Sequence, residues 1–348
     1  MSTNDAPGPR LVGLDRLRGA ALLLMLVHHL TSWFGPDARA VIPGWDGLVV
    51  TDVAAVAFTV ALGASVPLLL ASRARRGQCG WRLAGTVVRR YGLLIPIGVA
   101  LRAALGFDLD DLGVLETLGI CALVTAVVVR VAPRTLPVVA MATLLAAPAA
   151  ERAGQDVDVW VVEAGLTGMF PLVAYLGFAL LGAACAPHLG HGRERATALA
   201  ASVVGTAWTA GLVLAGDLPD RYPGEASFLV PGLTGTALLY LAVTSPRLDD
   251  AGHLGTIIRR AGAHTFGIFV GHYGVYLALR ETGRLHDLSD RTALAVAIVT
   301  AVGFAFAAAR MPTLPWSPRT GWARPRSAPA PEPDVVDRTE REPVPSAR

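Results

Sequence analysis

Lysine is missing from this chain of 348 residues, so all thirty basic side chains are arginine. That bias suits GC-rich coding better than any one activity. Cysteine is nearly missing too: Cys79, Cys121 and Cys185 lie far apart, and no CxxC or comparable spacing joins them. His188 and His191 beside Cys185 and Glu194 have a superficial metal-ligand look but lack a second sulfur, so no metal centre is expected. Charge is scarce at 16% against 53% hydrophobic, with a mean hydropathy of +0.50. A single soluble domain is thereby excluded, and a nucleic-acid partner is not expected. The first apolar segment has neither a short apolar core nor a small-residue cleavage site, and it reads as a retained helix rather than a cleaved signal.

What is present is apolar sequence, repeatedly long enough for a bilayer. Hydropathy predicts about ten spans near 14–34, 48–72, 82–105, 112–132, 134–150, 165–186, 196–216, 228–245, 261–280 and 291–310. The expected fold is all-α, a polytopic transmembrane helical bundle rich in Ala, Val, Leu and Gly, as close helix packing in lipid favours. Short residues 1–10 precede the membrane domain at 11–311. Residues 312–348 turn to proline, arginine and acid without apolar periodicity, and read as a disordered tail. With the N-terminus inside, only Arg39, Arg102, Arg152, Arg221, Arg280, Arg284 and Arg291 fall outside, while Asp108, Asp110, Asp111, Asp156, Asp158, Asp217 and Asp220 all do. The positive-inside rule then puts both termini in the cytoplasm of a multi-pass protein of a bacterial plasma membrane.

Ionisable residues inside spans are costly and mark functional sites. His29, with His28 beside it, lies eleven residues past Arg18, about 16 Å from the cytoplasmic edge by helical rise, and His272, eleven residues into the ninth span, reaches a similar depth. Adjacent residues point about 100° apart, so one of the first two suffices for an internal role, and His29 is chosen. Asp52 stands near the outer end of span 2, and Arg90 about 12 Å from the cytoplasmic edge of span 3, beside Arg89. A histidine base near the midplane, oriented by a carboxylate and with arginine to hold an anion, suits acyl transfer and equally a proton relay. The bland readings are interhelical hydrogen bonding for the histidines, snorkelling for the arginines and a helix-end charge for Asp52.

The stretch from Arg10 to Met25, R-L-V-G-L-D-R-L-R-G-A-A-L-L-L-M, resembles the opening R-x-x-x-L-D-x-x-R-G-x-A-L-x-L-M of a membrane acyltransferase family. That family includes heparan-alpha-glucosaminide N-acetyltransferase and its bacterial relatives, and more distantly the acyltransferase-3 group. Trp45, Gly47, Leu48 and Asp52, then Phe58 and Gly63-Ala64-Ser65, resemble its second-helix run. Arg90, Leu93 to Ile95 and Gly98 resemble the third helix, Gly113 to Gly119 the G-V-L-Q-R-L-G of the fourth, and Val270-Gly271-His272 a late V-G-H. Ile42 stands where the sugar N-acetyltransferase pattern has a histidine, and Ala55-Val56 replaces a Phe-Pro pair. His29 stands where O-acyltransferase relatives carry theirs.

The resemblance implies an enzyme passing an acyl group, acetyl foremost, from cytoplasmic acyl-CoA to a hydroxyl or amine at the outer side. His29 would be its base, His272 and Asp52 its orienting partners, and Arg90, Arg89 and Arg18 would hold the CoA phosphates. Expected partners are the bilayer, a small-molecule or glycan acceptor and a second copy in a homodimer. The competing classes are a proton-coupled transporter, against which the lack of repeated halves counts, and a non-catalytic family member, suggested by Ile42.

Overall fold

Where two helices must touch backbone to backbone, this chain supplies glycine. The computed structural model describes residues 11–44, 48–157, 159–190, 193–218, 226–250 and 252–310. It contains helices α1 (Val12–Phe34), α2 (Val53–Arg75), α3 (Gly80–Val87), α4 (Leu94–Leu105), α5 (Val114–Val131), α6 (Leu136–Gly154) and α7 (Trp160–Thr167). They continue as α8 (Leu172–Cys185), α9 (Glu194–Leu214), α10 (Ala226–Val243), α11 (Pro246–Asp250), α12 (His253–Ala263), α13 (Thr265–Glu281) and α14 (Asp290–Arg310), with no strand among the described residues. The fold is all-α. Residues 1–10 and the expected tail at 312–348 lie outside the described residues, apart from which Leu11–Pro312 forms one compact unit.

α1 packs against α2, α12 and α14, and α2 against α8. A Cβ at Gly19 would collide with the Ile258 carbonyl, and one at Gly262 with that of Asp15, so α1 and α12 cross in near-contact. Gly63 and Gly182 do the same for α2 and α8, against the carbonyls of Ala179 and Val60. Without a solvent-driven force between helices in lipid, such close approach supplies dispersion contacts instead. The motif glycines Gly19 and Gly63 are therefore packing residues first.

Among the described residues seven helices, counting Val50–Arg75 and Gly80–Leu105 as continuous, are long and apolar enough to cross a bilayer. Leu172–His188 and Ser227–Val243 are apolar but shorter. Two expected spans are interrupted. The one at 165–186 starts anew at Leu172 after Pro171, and the one at 261–280 is broken at His264, so that Arg259 and Arg260 stay on α12 and His272 on α13. Multiple apolar helices make this a multi-pass membrane protein.

Local chemistry fixes the helix ends. Pro96 has no N–H to offer the Gly92 carbonyl, and the backbone widens into a π turn, Val88–Gly92, just before it. Gly106, at φ 75°, ends α4: its N–H reaches Ala103 O at 3.2 Å, and the Phe107 N–H reaches Arg102 O at 3.0 Å. At the end of α1 the carbonyls of Trp33 and Phe34 accept from the N–H groups of His286 and Leu288, both at 2.9 Å. That clasp holds the histidine-bearing turns of α1 in place.

Candidate active site

His29 and His272 meet. The Nδ1 of His29 lies 3.0 Å from Nε2 of His272, with ring centroids 5.3 Å apart and planes at 23°. His272 is fully buried and its Nδ1 contacts the Phe269 carbonyl one turn earlier. A carbonyl oxygen only accepts, so Nδ1 of His272 carries the proton and its Nε2 the lone pair. That Nε2 then accepts from Nδ1–H of His29, and the basic lone pair of His29 falls on its Nε2. One tautomer assignment satisfies both contacts.

Aromatic rings frame the pair. Trp33 lies parallel to His272 at 5.2 Å and 14°, and 5.7 Å from the His29 ring. Tyr273 is 4.2 Å from the His272 ring, while Tyr276 packs on Trp33 at 5.2 Å and Phe107 on Tyr276 at 5.3 Å. The sequence reading missed these residues, although a signal existed: Trp33 follows His29, and Tyr276 follows His272, by four residues, one turn along the same helix face. Each such ring contact stabilises by about 0.5–1.5 kcal/mol beyond area burial, which limits the tilt of both imidazoles.

The other candidates lie elsewhere. His28 turns to α2, its Nδ1 2.8 Å from Thr51 Oγ1. Asp52 accepts from the Val49 N–H at 3.0 Å and pairs with Arg39 at 3.3 Å, so it organises the connection into α2 rather than touching either imidazole. Arg18 pairs with Asp15 at 3.3 Å and donates to Ser65 Oγ, tying α1 to α2. Arg89 and Arg90 sit exposed on the π turn, Arg90 over the Tyr91 ring at 5.7 Å. Arg76, Arg89 and Arg90 are each close enough to act electrostatically on Arg73, and no carboxylate pairs with any of the four among the described residues. They share no hydrogen bond, ion pair or ring contact with the histidine pair there. Trp45 and Gly47 of the second match lie outside the described residues. Ile42 is buried among Val49 and Leu294, an apolar niche where the sugar N-acetyltransferase pattern has imidazole.

One charge pair close to the histidines was not chosen from sequence. Glu116, at the start of α5, lies 3.5 Å from Arg102 of α4 with its side chain 3% exposed.

The model of the family described as "Heparan-alpha-glucosaminide N-acetyltransferase, catalytic" matches residues 10–217, more than half of the sequence. The chain belongs to this family. Heparan-alpha-glucosaminide N-acetyltransferase of Homo sapiens is 32% identical to it over 139 residues, 37% of this chain and 20% of the human protein. The match thus spans about a fifth of that curated relative. The matched region contains His29, Asp52, Arg18, Arg89 and Arg90, whereas His272 lies beyond it.

Proposed function

We propose that the protein is an integral-membrane acetyltransferase that takes an acetyl group from acetyl-CoA on the cytoplasmic side and passes it to a hydroxyl or amine presented from the outer side. A glycan is the acceptor class that the relative's name suggests. What supports the reading is the pairing of His29 with His272 inside a chain of this family.

In this reading His29 acts as general base. Its Nε2 takes the proton of the acceptor O–H or N–H as that atom attacks the thioester carbonyl. The tetrahedral intermediate expels the CoA thiolate, which is then protonated. His272, fixed by the Phe269 carbonyl, accepts the Nδ1–H of His29 and spreads the imidazolium charge that forms. Arg89 and Arg90 fit the phosphates of the donor, being exposed, unpaired with carboxylate among the described residues and forked to match phosphate oxygens. Arg18, about three helical turns below His29 on α1, would meet the donor on its way in. Asp52 serves indirectly, by holding the entry to α2 beside Thr51 and His28.

Calorimetry of acetyl-CoA with the purified protein tests the reading. Saturable binding, weakened when Arg89 and Arg90 are both changed to Ala, is expected. An absence of binding at millimolar acetyl-CoA would overturn it in favour of the competing transporter.

A further inference from the structure

Glu116 is a carboxylate that the reaction as drawn does not use, in a setting that makes its burial expensive. Its side chain is 3% exposed and neither oxygen accepts a hydrogen bond among the described residues, leaving the Arg102 guanidinium at 3.5 Å as its counter-charge. The niche is built for it: a Cβ at either Gly98 or Gly113 would run into its carboxyl group. A buried charge held this way needs its partner, and the partner is held in turn.

Arg102 spends its other contacts on one loop. It donates to the carbonyls of Asp108 and Asp111 in the connection between α4 and α5. From the opposite side Arg280, two turns along α13 from His272, donates to Leu105 O at 2.7 Å. Between those two anchors Phe107 lies against Tyr273 and Tyr276, with ring centroids 6.3 and 5.3 Å away. Those tyrosines touch Trp33, which stacks on His272. Glu116 and Arg102 are also the charges that act on the Tyr273 hydroxyl. The carboxylate, the guanidinium, the loop and the aromatic frame of the histidines form one connected chain. The loop has glycine at both ends, Gly106 with φ 75° and Gly113 at the cap of α5.

We propose that Glu116, acting through Arg102, is a positioning residue that holds the segment 105–112 closed against the aromatic side of the His29–His272 pair, and so sets how acceptor and water reach it. The proposal rests on the histidine pair being the reacting centre. The carboxylate needs no contact with substrate. It keeps Arg102 inside the bundle, and Arg102 keeps the loop's carbonyls turned inward.

Hydrogen exchange and transfer kinetics test this separately. In the wild-type protein the amides of Gly106 and Phe107, which donate to Ala103 and Arg102, should be protected well beyond a solvated loop. Glu116→Gln should speed their exchange at least tenfold, with α1 and α13 unchanged. Because an unpaired Arg102 could prevent folding, the double variant Glu116→Met, Arg102→Met removes both charges together and should free the same amides. In proteoliposomes with glucosamine as the outer probe, Glu116→Gln should raise KM for glucosamine at least fivefold, leave KM for acetyl-CoA unchanged, and increase hydrolysis of acetyl-CoA to acetate and CoA. Glu116→Asp should restore part of each effect. Wild-type exchange as fast as in an open loop, or unchanged exchange in the variants, would overturn the proposal. Loop release by the variants in a protein that neither binds acetyl-CoA nor transfers acetyl would retain the latch and discard the reacting centre.

Discussion

Two ends of this bundle handle polarity in opposite ways. Around His29 and His272, imidazole is matched to imidazole, imidazole to a backbone carbonyl and ring to ring. Along the turn from Arg73 to Arg90, guanidinium groups crowd together with no carboxylate among the described residues to neutralise them, next to a Trp81 that is 91% exposed. In the proposed reading the first arrangement serves proton transfer, where orientation matters most. The second serves the anionic donor, whose phosphates would supply the counter-charge. Two substrates approaching from opposite sides would meet different kinds of readiness.

Breaking the first end should cost most. His29→Ala should lower acetyl transfer to glucosamine by about 10²- to 10⁴-fold, the usual worth of a general base, while calorimetric binding of acetyl-CoA stays within about twofold of the wild type, as expected for a group absent from the donor site. The second end should answer differently. Changing Arg89 and Arg90 together to Ala should raise KM for acetyl-CoA about 10- to 100-fold, as for the loss of charge-assisted hydrogen bonds, with kcat little altered and the effect shrinking at high salt. Steady-state kinetics in both substrates distinguishes the two patterns. Trp33→Leu removes one stacking partner and should lower kcat by up to about tenfold, the equivalent of a single ring contact. The smallest effect sharpens the comparison inside one helix: His28→Gln should change transfer by about twofold or less, since a neutral hydrogen bond to Thr51 contributes only about 1 kcal/mol. A His28 variant as inactive as the His29 variant would move the chemistry to the α2 side.

How much of this the sequence disclosed depends on what kind of force places each residue. Apolar run length is a one-dimensional signal, and the helices duly appear close to where hydropathy puts them. The interruptions at Pro171 and His264 were harder to see, because a window average passes over a single break. Depth is also one-dimensional: eleven residues from Arg18 to His29 and eleven from Ala261 to His272 set both at one level, and the structure pairs them across 243 residues. Azimuth is not. Asp52 has a suitable depth yet turns to Arg39 and the Val49 N–H, an outcome of local loop geometry that depth alone does not encode. Glu116 shows the same limit in reverse. Its one-turn position in α5 reads as a helix-end charge, and only the approach of Gly98, Gly113 and Arg102 reveals that it is interior. The aromatic frame was written at four-residue spacing and was overlooked in favour of the ionisable groups.

The central claim is that the two imidazoles work as a unit, and kcat for acetyl transfer in the double variant His29→Ala, His272→Ala, set against the two single variants, tests it most directly. Residues acting together give strongly non-additive losses, so the double variant should be no slower than His29→Ala alone. Losses that multiply, or a His29→Ala protein that turns over like the wild type, would contradict the account.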